Sequence, residues 1–290
     1  GGVRVAGMSG IYNDRNFYRP RNERLPFDSS AIRSVYHQRS GSEFLMRCLK
    51  GLRHDIFISH DWPSNVAPHG DLPTLLRKKK FLASEIADGS LGSPSGRRIM
   101  DDLRPAHWLS AHLHVKYEAT IRHPTKAAPA AAGPDSDDGK AQSTKFTAAE
   151  GDCGAAASFE EQFTRFLSLD KCLPNRSFLH FLTVPRPPGS PPSVAFEYDP
   201  WYVAAARMHP HAQFSNGQNL PPPAPVPESE VSKAMEALNA INGGTTIKAD
   251  FRRTAPTQAE VSGVCRRAWT NGAEGNWQTA RFEAILGLGE

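Results

Sequence analysis

The sequence has 290 residues, enough for one or two domains and a substantial core. Hydrophobic residues make up 39%, below the usual share for a compact globule, and the 24 prolines are bunched, so ordered blocks joined by linkers are expected. A net charge of +4 and a pI near 8.9 permit a polyanionic partner without specifying one, while no apolar stretch approaches a membrane span and no signal peptide is visible.

The chain opens GGVRVAGMSGIY, without an initiating Met and already inside a strand-like run, so an incomplete gene product is expected. Residues 3–8 read as a buried strand. Residues 10–40 read as a long irregular segment ending in a helix, with Ser29 or Ser30 as N-cap. Phe44, Leu45, Cys48 and Leu49 recur at helical spacing, and residues 55–59 (DIFIS) form a short β-rich run. Residues 72–87 read as one amphipathic helix carrying Leu75, Leu76, Phe81, Leu82 and Ile86 and stopping before Gly89. A further helix over 95–103 stops at Pro105, and strands are expected in AHWLSA and VKYEATI. Alternating strands and helices favour an α/β layered domain.

Residues 124–157 are low in apolar bulk and rich in Ala, Pro, Asp and Ser, the composition of a disordered linker. Residues 163–184 read as two β-like runs around a turn. PRPPGSPPS and NLPPPAPVPES read as polyproline linkers, and helices are expected to start near Ser229, Gln258 and Gln278. The four cysteines are widely spaced and form no CxxC pair, which points to reduced thiols in the cytosol or nucleus.

Among the 11 histidines, three stand at strand-like runs: His60 after DIFIS, and His112 and His114 following or ending AHWLSA. Ligand sites of layered α/β domains form beyond the carboxyl ends of strands. Side chains alternate along a strand, so His112 and His114 are expected to point the same way. With His60 on a neighbouring strand end, three neutral imidazoles would converge on one or two divalent metals. The plainer alternative is surface or hydrogen-bonded histidines, since a lone His-x-His also arises by chance. His209 and His211, beside Pro-rich linker, read as solvated.

IFISHDWP followed by WLSAHLHVKYEA closely resembles the RNA lariat debranching enzymes, members of the calcineurin-like binuclear metallophosphoesterases. GVRVAGMSGIY and SSAIRSVYHQR are similar to that family's preceding segment. FLSLDKCLPNRSFLHFL, FEYDPWY and NWQTARFEAILGL are similar to its C-terminal domain. The resemblance implies a truncated metallophosphoesterase layered sheet-sheet domain with flanking helices over residues 1–123. A linker over 124–157 and a smaller α+β C-terminal domain over 158–290 would follow. By motif, His60 matches the family's lone His, and His112 and His114 its closing His-x-His. His60 and His112 would face one metal position and His114 the other, with Fe2+, Zn2+ or Mn2+ as the cation.

The family's upstream Gly-Asp and Asn-His motifs, the second supplying the general acid, have no counterpart here. His69–Asp71 (HGD) and Glu150–Asp152 (EGD) fall after the expected strands. Weak or no activity is therefore expected of this chain alone. The implied reaction is hydrolysis of the 2′,5′-phosphodiester branch of excised intron lariat RNA by metal-activated water, in the nucleus after splicing. The alternative is an RNA-binding remnant without catalysis. Asp61 would orient an imidazole, or serve as a plain loop residue.

Residues 11–40 interleave Arg15, Arg19, Arg21, Arg24, Arg33 and Arg39 with Tyr12, Phe17, Tyr18, Phe27 and Tyr36. Arginine grips phosphates bidentately and aromatic faces stack on unpaired bases. By resemblance this is the lariat recognition loop, with Tyr12, Arg33, Tyr36, His37 and Arg39 as the expected RNA contacts. LLRKKKF is a basic run on a helix, either a solvated face or a surface grazing the RNA backbone.

Overall fold

A computed structural model describes residues 2–23, 27–124, 162–190, 195–212, 214–247 and 277–288. Five strands form one sheet: β1 (Val5–Met8), β2 (Ile56–Ser59), β3 (His107–Ser110), β4 (Tyr117–His123) and β5 (Gln162–Ser168), in the order β1-β2-β3-β5-β4. The first four in that order run parallel, and β4 closes the far edge antiparallel to β5. The chain is thus a mixed α/β protein, as the alternation of elements predicts. β5 arrives from beyond residue 157 yet lies between β3 and β4, so the boundary expected at 158 does not separate two sheets.

The register explains which residues are buried. Ala6, Phe57, Trp108, Phe166 and Ala119 are neighbours across the five strands. Phe57 and Trp108 stack there with ring centroids 4.1 Å apart. Phe44, Leu45, Ile99, Met100 and Leu103, from helices α3 (Ser40–Arg47) and α6 (Pro94–Leu103), belong to the same core cluster. Arg98 of α6 clamps Glu43 of α3 through two 2.7 Å bonds, and Arg47 reaches Asp102 at 2.6 Å. The opposite row is Gly7, Ile58, Leu109, Leu167 and Glu118. On this face Ile58 is 49% exposed, as is Val5 of β1 at 48%. β1 is therefore a half-open edge strand rather than the buried strand expected.

The segment before α3 holds two one-turn helices, α1 (Asp14–Phe17) and α2 (Ala31–Ser34). Ser30 occupies the N-cap of α2 without a side-chain bond, and Asp28 does the capping instead, accepting from the N–H groups of Ser30 and Ala31 at 2.8 and 2.7 Å.

The single helix expected over 72–87 is broken into α4 (Leu72–Lys78), a 3-10 turn (Lys80–Leu82) and α5 (Ala83–Ala87). In an unbroken helix Lys79 would share a face with Leu75 and Leu82, both 1% exposed. The chain breaks at Lys79 (φ −136°, ψ 62°) and keeps that ammonium off the core.

Helices α7 (Pro200–Met208), α8 (Glu228–Ala237) and α9 (Trp277–Leu286) complete the described residues, and a π turn (Leu238–Asn242) extends α8. Residues of α7, α8 and α9 (Val203, Ala234, Ile285) join the same core as the sheet. α7 was not anticipated, although Asp199-Pro200 is a helix-start signature: the Asp199 carboxylate accepts from the Trp201 N–H at 2.9 Å. The helix expected near Gln258 lies outside the described residues, as do residues 125–157 of the expected linker.

Three more expectations fail, one for want of a partner and two because partners exist. Residues 178–184 form no strand, because no neighbouring strand pairs with them among the described residues; Phe181 is 89% exposed there. The run around Leu220–Pro223, expected as free linker, instead lines a cleft with Phe17, Glu43 and Arg98. His209 is not simply solvated: its ring packs edge-on against Phe44, centroids 4.7 Å apart. Among the described residues Cys48 and Cys172 are free thiols, and no helix is long and apolar enough to cross a membrane.

Candidate active site

The carboxyl ends of β1, β2 and β3 converge, and each gives way to a loop that carries candidate residues. A buried hydroxyl network ties two of these ends together. Ser59 and Ser110, the last residues of β2 and β3, share a 2.9 Å hydrogen bond. Ser59 donates to the Asp61 carbonyl at 2.7 Å and Ser110 donates to Ser59, with the Ser110 oxygen 3.2 Å from the same carbonyl, and the Trp108 indole N–H donates to the Ser59 hydroxyl at 2.9 Å. The Ala111 N–H donates to the His60 carbonyl at 3.1 Å, and the Trp62 indole N–H to the Ala111 carbonyl at 3.0 Å. These bonds fix the backbone immediately before His60 and His112. The sequence carries a signal for this network, a serine ahead of each histidine (ISH, LSAH).

The result is a histidine pair. His60 Nε2 lies 3.1 Å from His112 Nδ1, and the rings meet at 69°. Burial, and after it the neighbouring His112, pushes the His60 pKa down, against the opposing pull of Asp61. His60 is accordingly neutral at pH 7, the form that ligates a metal. Two nitrogens each about 2.0–2.1 Å from one zinc-like ion, at a tetrahedral or octahedral angle, stand roughly 2.9–3.4 Å apart. The observed separation falls in that interval as well as in the range of a ring-to-ring hydrogen bond, so two of the ligands of one cation could stand here.

Asp61 is buried and links this pair to the preceding loop. Its carboxylate accepts the Tyr12 N–H at 3.2 Å. Burial raises its pKa, opposed by the Tyr12 and Trp62 N–H groups and by His112 and His60.

His114 stands apart from the pair, and only the strand alternation expected to align it with His112 fails. β3 ends at Ser110, so strand alternation does not reach residues 112 and 114. Both adopt left-handed backbone, φ 58° at His112 and 51° at His114. Such geometry costs a non-glycine residue about 1–3 kcal/mol and concentrates at functional sites. His114 is exposed. Partial desolvation, then the charges of Lys171 and Lys79, then His112, hold its pKa down. The three imidazoles therefore do not form one cluster: two pair, and no group of three or more His, Cys, Asp or Glu suited to a metal occurs among the described residues.

The expected RNA loop is folded onto the end of β1. Ile11 and His37 form a parallel bridge, with Ile11 N–H donating to the Tyr36 carbonyl at 3.1 Å and Gln38 N–H to the Ile11 carbonyl at 2.9 Å. Gly10 is required there: its φ is +96°, and a Cβ would lie 2.4 Å from the Tyr36 oxygen. Tyr12 is half-buried against Phe17, centroids 5.2 Å apart, and burial raises its phenol pKa. His37 bonds Asn16 at 2.9 Å and meets Tyr36 edge-on at 5.0 Å. Tyr36 is 47% exposed and Arg33 is also on the surface.

Arg39 is a different case. It is 2% exposed, pairs with Glu23 at 2.5 Å and donates to the carbonyls of His37 and Ser34 at 3.1 and 3.2 Å. Its guanidinium holds the loop together and is not presented to solvent, contrary to the contact expected of it.

Taken together, a mainly parallel sheet with a histidine pair and an arginine-aromatic loop at its carboxyl edge is an α/β scaffold of the kind that places catalytic groups beyond strand ends. A family model described as "Lariat debranching enzyme, C-terminal domain" matches residues 161–290. The lariat debranching enzyme of Schizosaccharomyces pombe is 30% identical over 359 residues, covering 100% of this chain and 73% of that protein. That of Danio rerio is 32% identical over 262 residues, covering 88% of this chain and 40% of its own length. That of Homo sapiens is 36% identical over 198 residues, covering 68% of this chain and 30% of its own length. The chain belongs to the lariat debranching enzyme family, as the motifs around His60 and His112 led us to expect. It spans 40% of the Danio rerio and 30% of the Homo sapiens relative.

Proposed function

We propose that this chain carries part of the catalytic site of a hydrolase that opens the 2′,5′-phosphodiester branch of intron lariat RNA, in the nucleus after splicing. The observation that carries this reading is the 3.1 Å approach of His60 and His112 at the ends of neighbouring parallel strands. Val5 and Ile58, on the open side of the sheet, are where the second sheet of a layered metallophosphoesterase domain would pack. His60 and His112 would together hold one divalent cation (Fe2+, Zn2+ or Mn2+), with His114 serving a second. A cation so held supplies a water acidic enough to attack at neutral pH and positive charge for the phosphate oxygens. His60 contributes a neutral imidazole. Asp61 fixes both the loop and the field at the pair. Tyr36 and Arg33 offer a stacking face and a guanidinium to the branched strand.

The test is release of linear RNA from a synthetic branched oligonucleotide, with Mn2+ and with a chelator, alongside binding of branched and linear RNA. Any cleavage is expected to need the cation and to disappear in His112→Ala. Cleavage that survives the chelator or that substitution, or equal binding of branched and linear RNA, contradicts the proposal. A second reading, a binder of branched RNA without hydrolysis, is favoured by the lack of a three-ligand group among the described residues. It expects branch-selective binding with no cleavage.

A further inference from the structure

A basic run, residues 77–80, spans the end of α4, outside the histidine pair. A groove between α4 and the start of β4 is lined by Lys78 and Lys116 and reaches Val115, next to His114. The carboxylates around it are already engaged. Asp71 caps α4 by accepting the Thr74 N–H at 3.0 Å, Glu118 pairs with Lys116 at 3.0 Å, and Asp170 accepts from Arg176 at 3.2 Å. Lys78, Lys80 and Lys171 are exposed, and no ion pair holds their ammonium groups among the described residues. The break at Lys79 leaves Phe81 68% exposed while Leu82 stays buried, and the Lys79 ammonium sits 5.9 Å from the Phe81 ring centre. Uncompensated lysines beside an exposed aromatic face are the two parts of a single-strand platform: charge tracks the phosphates and the ring stacks on an unpaired base.

We propose that Lys78, Lys80, Lys171 and Phe81 bind the backbone and one base of single-stranded RNA running away from the histidine pair. This rests on the reading above for what occupies His60 and His112, but its chemistry is separate from hydrolysis.

The test uses the 290-residue chain and an unbranched twelve-nucleotide oligouridylate in a chelating buffer, with affinity measured against salt concentration. Each neutralised lysine lowers the slope of log affinity on log salt by about 0.7. The variant K78Q/K80Q/K171Q is therefore expected to lose about 2 from that slope and to bind at least about tenfold more weakly at low salt. Phe81→Ala is expected to weaken binding about tenfold with the slope unchanged. Lys233→Gln, on α8, is expected to alter neither. All the residues changed are exposed, and melting curves check that the variants fold. No binding by the wild-type chain, a triple variant indistinguishable from Lys233→Gln, or duplex RNA bound as tightly as the single strand overturns the proposal. Because the probe has no branch and no cation is present, failure of debranching leaves this result standing, and the converse holds.

Discussion

Arg39 shows how a residue of the right chemistry acquires a different role from its surroundings. Sequence alone places an arginine among aromatics and suggests a phosphate contact; the fold buries it against Glu23. Burial alone would raise the Glu23 pKa, but the Ser34 hydroxyl, its own backbone N–H and Arg39 outweigh that and lower it. A depressed carboxyl stabilises the fold fully above its unfolded pKa, about 4.3, and loses that contribution as pH falls through the folded value. Amide-exchange protection at Val35–Gln38 is therefore expected to be constant from pH 7 to about 5 and to fall below about pH 4. Loss of protection already at pH 6 would show that Glu23 does not hold the loop. The histidine pair, by contrast, was legible. Its motif names the residues, and adjacent parallel strands bring them together. The left-handed backbone at 112 and 114 leaves no trace in residue type.

At the scale of elements, periodicity located most helices and strands but not their interruptions. The helix break at Lys79 was readable in principle, since a lysine stood on the apolar face of the expected helix. The missing strand over 178–184 was not, because an apolar run reads as a strand whether or not a partner exists. That run leaves Leu179 66% and Phe181 89% exposed, a surface of the kind that promotes self-association. Phe181→Lys is expected to shift stability by no more than about 0.5 kcal/mol and to reduce concentration-dependent association in sedimentation runs. A loss of about 2 kcal/mol would mean that Phe181 is packed after all.

At the scale of the whole molecule, strand order carries the most information that the sequence hid. Nothing in residue pattern says that β5 inserts between β3 and β4, because that pairing spans the intervening linker composition and is decided by register across the sheet. Without β5, β4 has no partner strand among the described residues, and Trp108 and Ala119 lose Phe166 as their neighbour. Residues 1–124 expressed alone are therefore expected to give no cooperative melting transition, whereas co-expression with residues 158–290 restores one. Cooperative unfolding of 1–124 by itself would contradict a shared sheet.

The proposed function rests on His60 and His112 sharing one cation. Titrating Mn2+ into the 290-residue chain and reading the bound ion by pulsed electron paramagnetic resonance tests it most directly. Two histidine nitrogens coupled to one manganese are predicted, with both couplings and at least about tenfold in affinity lost in His60→Ala and in His112→Ala. Manganese bound at full strength in either variant, or bound without imidazole coupling, would contradict it.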